Sequence, residues 1–481
     1  MINSQENSAI FVMEERKYML NNKPNKSFKP NYHFYPITGW CNDPNGLIQW
    51  KGRYHMFYQY NPTAPVWGPM HWGHAISEDL IHWRHLPVAL YPKRKNVDDI
   101  SGIFSGSAID DNGIMRLIYT NYYDPKYHPI SYRETQCIAE SDDGINFKQF
   151  ERNPVIEKPP MDNVNGFRDP KVWRDKDGKW KVVIGSGYKK RGCIFLYSSE
   201  DFINWKFEGT FFELEDIPVS VLECPDFFYL NEKGILIFSI NEPEIRGSFY
   251  CIGNVKDQKF ILEKIEKMDF GIDYYAPQTF LDDKWRRIVI AWMQHHKDEI
   301  LTLEEGWSGI MTLPREVLYL KNKLYFKPVD EVENLILETI YIFNNIEIAG
   351  KRVFPLDKIE KNCYEIKIDI ELIKNFSQGL SLNIYNNFNE NIKLSYYDKK
   401  FEVDTTKSGV GNGGLTSVEI GGRKKLSIDL FIDSSSIEVF IDKEFCGSFR
   451  IYPKYVYDRL SLTGDFIISS LKVNVLKNIW I

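Results

Sequence analysis

Short apolar runs separated by polar turns dominate this chain, and the three-to-four-residue spacing of amphipathic helices is scarce. Runs rich in Val, Ile, Tyr, Phe and Trp are broken by Asp-Gly, Asn-Gly and Lys-Gly turns, a pattern that predicts antiparallel strands. One unit recurs: a short polar motif, a strand, a turn and an apolar return strand. The first copy starts at Asp43, turns at Lys51-Gly52 and returns over Tyr54 to Tyr60. The others start at Ser105, Asp169, Glu223 and Ala276, with return strands beginning at Met115, Trp180, Ile235 and Arg287. A second marker repeats within the first three units: Ser77-Glu-Asp-Leu-Ile-His-Trp83, Ser141-Asp-Asp-Gly-Ile-Asn-Phe147 and Ser199-Glu-Asp-Phe-Ile-Asn-Trp205. All-strand repeats of roughly 50–60 residues predict propeller blades, and five of them predict a five-bladed β-propeller.

The rhythm stops after Trp307. Residues 328–340 are expected to form one short helix that serves as a linker. Period-two alternation then resumes, for example over Leu380–Tyr385, Leu426–Asp433 and Ile437–Asp442, with a Gly-rich turn at Gly409–Gly414. That pattern predicts an antiparallel β-sandwich. The expected class is therefore all-β: a lead-in over 1–27, a propeller over 28–327, the linker, and a sandwich over 341–481.

Composition narrows the function. In 481 residues, 60 Lys and Arg stand against 66 Asp and Glu, for a formal net charge of −6. That balance argues against a nucleic-acid partner and against a polybasic membrane surface. Aromatic residues make up 15%, which suits β-structure and flat walls for sugars. Nine His and seven Cys show no His-x-x-x-His or Cys-x-x-Cys pair, so no metal and no cofactor are expected. The cysteine number is odd and the spacing irregular, as for reduced thiols. The first 31 residues lack an apolar core, and no stretch of 18 apolar residues occurs, so a cytoplasmic protein that spans no membrane is expected.

In a propeller, equivalent positions of the innermost strands converge on one cavity. Three of the five units place a carboxylate there: Asp43, Asp169 and Glu223. Crowded acids repel one another, so their convergence points to function. Paired carboxylates without metal ligands suit glycoside chemistry, in which one acid protonates the leaving oxygen and the other attacks or directs water. For each acid alone the bland alternative is a turn Asp or Glu that caps backbone N–H groups.

Trp40-Cys-Asn-Asp-Pro-Asn-Gly46, Phe167-Arg-Asp-Pro170 and Glu223-Cys-Pro-Asp226 resemble the three signature motifs of glycoside hydrolase family 32. The resemblance extends through Gln59-Tyr-Asn-Pro62, Trp67–His74, Phe104-Ser-Gly-Ser107, Tyr274–Thr279 and Ser436–Phe440, and covers roughly residues 30–481. It implies a β-fructosidase that retains configuration and uses no metal. By the resemblance, Asp43 is the nucleophile, Glu223 the acid/base and Asp169 the carboxylate that holds fructose hydroxyls. Arg168 would steady a carboxylate, and Asn42, Gln59, Trp67, Phe104 and Ser105 would line the fructose pocket. Trp40, Tyr275 and Trp292 are further substrate-binding candidates, with blade packing as their alternative role. Cys41 departs from the family's usual Met, a change expected to alter packing alone. The thiol of Cys224 is expected to pack near the acid/base.

The implied substrate is sucrose, sucrose 6-phosphate or a short fructan, and the motif around Trp67 is most similar to the sucrose-6-phosphate hydrolase branch. A phosphate would need a basic lip, for which Lys189-Lys-Arg191 and Lys93-Arg-Lys95 are candidates. The alternatives are an exo-acting levanase or inulinase and a non-catalytic fructan-binding propeller. The sandwich is expected to pack on the propeller and stabilise it, and to be the place where a homodimer would form.

Overall fold

The structure is a computed structural model and describes residues 25, 27–92, 101–125, 133–215, 217–294, 299–373, 379–411 and 413–480. The recurring unit folds into five antiparallel sheets. Their inner strands are Gly39–Trp50, Gly102–Asp111, Val164–Arg174, Glu223–Leu230 and Tyr274–Leu281. Each inner strand touches those of its two neighbours, and the fifth touches the first, which makes a ring of five blades. Inner and second strands are apolar because other blades cover both their faces; Lys233–Ile240 is almost wholly buried. The outermost strand of that blade, Lys259–Lys267, is mostly exposed and charged.

The ring is closed by Trp307–Ser308. This segment leaves the fifth blade and pairs in parallel with the inner strand of the first, Gly39 against Trp307 and Trp40 against Ser308. The neighbouring Gly309 has φ +87°, and a Cβ there would meet the Cys41 carbonyl oxygen at 1.9 Å, so only glycine lets the closing segment approach.

The repeated Ser-x-Asp marker is the turn between the third and fourth strands. Asp79 Oδ1 accepts from the N–H groups of Ile81 and His82, Asp143 Oδ1 from those of Ile145 and Asn146, and Asp201 Oδ1 from those of Ile203 and Asn204. Short acidic side chains replace missing backbone partners there, which explains the recurrence.

The segment expected as a helical linker holds a six-residue 3-10 helix, Asp330–Leu335. The extended strand Ile336–Pro355 follows at once, because period-two alternation already begins at Ile336. That strand pairs along its whole length with Arg459–Leu476. On its other edge Arg459–Leu476 pairs first with Leu380–Tyr385 and then with Tyr364–Leu372. The switch falls beside Gly464, which pairs with Gly350; both have positive φ and let the ribbon bend from one layer of the sandwich into the other. Ile, Leu and Val from both layers fill one core. Among the described residues no helix is long and apolar enough to cross a membrane.

Candidate active site

Every inner strand enters the ring from the same end, and every one is irregular near its start. Asn42 and Asp43 face the single residue Gln59, and Ser105 is an extra residue between two paired ones. Asp169 and Pro170 face Ile184, Cys224 and Pro225 face Phe238, and Ala276 and Pro277 face Ala291. These are β-bulges, in which one residue too many bends the strand and re-aims side chains. Proline suits them because it needs no ladder partner. Asp169, Cys224 and Ala276 take φ of 64°, 48° and 49°, left-handed backbone that non-glycine residues rarely adopt and that clusters at functional sites.

Aligned on the proline, Asp43, Asp169, Cys224 and Ala276 are equivalent. The position before them holds Asn42, Arg168, Glu223 and Tyr275. The three acids therefore do not share one position, as a reading by repeat alone would have it: Glu223 stands one residue earlier. Its two neighbours at that level both reach it. Arg168 Nη2 donates to Glu223 Oε1 at 2.7 Å, and the Tyr275 hydroxyl donates to Oε2.

Asp43 is held on both oxygens. Asn42 Nδ2 donates to Oδ1 at 2.9 Å, and Ser105 Oγ donates to Oδ2 at 2.7 Å. Trp40 Nε1 in turn fixes Asn42 Oδ1 at 2.8 Å. Gln59 reaches the site through Asn45, whose amide, with its oxygen turned to Gln59 Nε2 at 2.9 Å, donates to Ser105 Oγ at 3.2 Å. Asp169 Oδ2 accepts the Cys224 backbone N–H at 2.9 Å, and the Asp169 N–H donates to Thr120 Oγ1 at 3.1 Å. The Cys224 thiol lies between the two Asp carboxylates, 3.4 Å from Asp43 Oδ2 and 3.6 Å from Asp169 Oδ2. It also packs with Tyr275, the partner of the neighbouring Glu223. Burial, with Asp169 and Asp43 alongside, holds this thiol far above its usual range, so it acts as a donor and not as a nucleophile.

Burial also raises both Asp carboxyls. For Asp43, hydrogen bonds from Ser105 and Asn42 partly offset it, while the charge of Glu223 adds to it. Asp169 is pushed up to about 7: burial raises it, Arg168 lowers it, and Asp43 and Glu223 raise it again.

The aromatic candidates form the walls. Trp40 and Trp292 meet edge to face at 5.8 Å, and Tyr275 and Trp292 at 6.4 Å. Trp67 is more than half exposed at the rim and leans on Phe104 at 6.3 Å, and Phe104 stacks on Tyr122 at 4.4 Å. All twelve candidate residues thus join one contiguous cluster at the entry end of the ring. The fully buried Cys41 packs in the core between the first and fifth blades.

Several members carried no readable signal. Glu134 accepts from Arg168 Nη1 at 3.0 Å and so supports the group that holds Glu223. Thr120 and Tyr122 lie opposite the inner strand Gly102–Asp111, and Asn45, though inside the first motif, is not singled out by it. Arg246 stands over the Tyr275 ring at 5.9 Å. A cavity of about 710 Å³ opens beside Arg168, with Tyr122, Arg133, Glu134, Asn163 and Asn165 in its wall. Of the two basic loops, Lys189–Arg191 is the turn joining the second and third strands of the third blade, where Arg191 pairs with Glu213 at 3.1 Å. Lys93-Arg-Lys95 lies outside the described residues.

The sequence model described as the glycosyl hydrolases family 32 N-terminal domain matches residues 33–328, and that of the family 32 C terminal matches 331–474. The chain is 38% identical to a sucrose-6-phosphate hydrolase of Zymomonas mobilis, over 90% of this chain and 88% of that one. It is 35% identical to a raffinose invertase of Escherichia coli, over 94% and 95%. A solved structure of a Bombyx mori β-fructofuranosidase, a mutant in complex with sucrose, superposes with a TM-score of 0.79 at 30% identity, covering 100% of this chain and 99% of that one.

Proposed function

Because the chain belongs to glycoside hydrolase family 32, and is a glycosidase of the β-fructofuranosidase type, we propose that it cleaves a terminal β-D-fructofuranosyl bond with retention of configuration. The substrate is a small sugar built on sucrose, with sucrose 6-phosphate as the favoured form. The observation that carries this reading is the arrangement of three carboxylates with two different sets of partners in one polar mouth.

Asp43 is the nucleophile. Its Oδ1 and Oδ2 are oriented by Asn42 and Ser105. It attacks C2 of the fructosyl unit as the C2–O bond to the departing sugar breaks. Glu223 gives a proton to that oxygen, takes one from water in the second step, and the water oxygen displaces Asp43 from C2. Arg168 and Tyr275 keep the Glu223 carboxyl directed into the mouth in both steps. Asp169 is the partner of the fructosyl hydroxyls; with its carboxyl at about 7, it accepts or donates near neutral pH. Hydrogen bonds that strengthen in the transition state are worth several kcal/mol here. Trp40, Trp67, Phe104, Tyr275 and Trp292 wall the sugar ring. We place the chemistry in the propeller, 28–327, with the sandwich, 341–481, as support. Seven buried, unbridged cysteines support a reducing, cytoplasmic setting.

The test is fructose release from sucrose and sucrose 6-phosphate, compared as kcat/KM. Release from both, faster from the phosphorylated sugar, is expected. Release from neither would remove the reading. The covalent step is tested with Glu223→Gln and β-D-fructofuranosyl fluoride, whose leaving group needs no proton from Glu223: mass spectrometry is expected to find one fructosyl unit on the peptide that carries Asp43, and an unmodified peptide would overturn it.

A further inference from the structure

This inference rests on the reading of the site as one that releases a fructosyl unit from a sucrose core. With that unit against Asp43 and Asp169, the departing sugar leaves from Glu223. Arg168 joins Glu223 to the 710 Å³ cavity, because it bonds Glu223 on one side and lines the cavity on the other. The cavity therefore lies where substituents of the departing sugar project. Its size suits a small ligand or part of one.

The two guanidinium groups of the wall differ. Arg168 is taken up by Glu223 at 2.7 Å and Glu134 at 3.0 Å. Arg133 stands at the end of the connection between the second and third strands of the second blade, and its carbonyl accepts the Tyr123 N–H at 2.8 Å. Among the described residues its guanidinium has no carboxylate partner, and the residue is exposed to the cavity. The wall also holds two acids: Glu134, which shares Arg168 with Glu223, and Asp162. The amides of Asn163 and Asn165 add neutral donors. An unpaired guanidinium with amide donors beside it is the chemistry that receives a phosphate oxygen fork. Lys189–Arg191 is less suited, since Arg191 already has Glu213 and no described contact links that turn to the site.

The geometry points to Arg133 as the receptor of a phosphate monoester on the departing sugar, and to this cavity as the place where phosphorylated and free substrates are told apart. A neutral further hexosyl unit in the same cavity is the competing occupant.

The experiment measures kcat/KM of the full-length enzyme and of Arg133→Ala and Arg133→Lys on sucrose, sucrose 6-phosphate and raffinose. Arg133→Ala is expected to lose roughly 10- to 100-fold on the phosphorylated sugar, the range of a charge-assisted hydrogen bond, and less than about threefold on sucrose and raffinose. Arg133→Lys, which keeps the charge but not the fork, should fall between. An unchanged preference in Arg133→Ala overturns the proposal, as does an equal loss on all three sugars. A loss on raffinose as large as that on the phosphorylated sugar assigns the cavity to a hexosyl unit and overturns it too. A wild type that cleaves sucrose but gains nothing from the phosphate overturns this inference and leaves the fructosidase reading standing, whereas a wild type that releases no fructose at all fells that reading itself.

Discussion

Burial drives the Asp169 carboxyl upward, Arg168 pulls it back, and Asp43 and Glu223 push it up again, to about 7. In the unfolded chain the same group titrates at the ordinary 3.8. Folding therefore takes up a proton between those two values, and stability falls as pH rises from about 4 through 7. Above 7 the full penalty is present. Asp169→Asn keeps the shape and removes the charge, so it should stabilise the protein at pH 8 by on the order of 4 kcal/mol and gain nothing at pH 3. Fructose release should fall by roughly a thousandfold in the same variant. Thermal melts at the two pH values decide it; an equal gain at both would mean that the charge is not what strains the site. Asp43 titrates in the same upward direction, for burial first and the charge of Glu223 besides. The acid limb of kcat/KM should accordingly lie above the usual range of aspartate.

Turns and strands follow local rules, and they were legible in the sequence for that reason. The Ser-x-Asp turns bond within three residues, and Leu380–Tyr385 occupies the expected span. The role of the residues just after the lead-in was not legible. Residues 31–33 run along the sandwich, where Asp433 accepts the N–H groups of Asn31, Tyr32 and His33. Both ring nitrogens of His33 are engaged, Nδ1 with Asp433 at 3.0 Å and Nε2 with Glu438 at 2.9 Å. Burial pulls this imidazole down, but the two carboxylates outweigh it and hold it up at about 9. Its ordinary value is 6.5, so the stability it contributes is complete below that and drains away as pH rises through 9. The wild type should lose on the order of 3 kcal/mol over this window, and His33→Gln should show a flatter stability curve there. Denaturant titrations at pH 6 and 9.5 that fall in parallel for both proteins would refute this role of His33.

Propeller and sandwich meet through buried charge. Arg315 of the fifth blade donates from Nη1 to Asp269 at 2.8 Å and from Nη2 to Glu438 at 2.5 Å and Ser448 Oγ at 2.6 Å. Glu438 belongs to the sandwich and is shared with His33, so one carboxylate ties the segment around His33, the fifth blade and the sandwich together. At the far end, Trp480 Nε1 donates to the His33 carbonyl at 3.1 Å and packs against Tyr35 at 5.2 Å. Removing one partner from such a network leaves the others buried and uncompensated. Arg315→Ala is therefore expected to lose about 3–5 kcal/mol. Calorimetry should show one transition for the wild type and an earlier or divided one for the variant. Two well-separated transitions already in the wild type would mean that the sandwich does not support the propeller.

The sequence by itself determined the strands, the five-fold repeat and the residue types of the site, because turn chemistry, period-two burial and an Xaa-Pro motif all act over a few neighbours. It also placed Asp43, Asp169 and Glu223 near one another, since repetition in a ring forces convergence. Only the tertiary structure decided which atoms meet. The bulges shift Glu223 one position out of line with the two Asp residues, turn Cys224 to Asp43 and Asp169, and bring Tyr275 from another blade onto Glu223. The rim depends on connections of unequal length: Arg133 and Arg246 end such connections and Glu134 begins a strand, and their local sequence gives no sign that they come to the mouth. Contacts between groups 30 to 400 residues apart, such as Arg168 with Glu134 or His33 with Asp433, are set by closure of the ring and docking of the sandwich. Those energies arise only when the chain is folded.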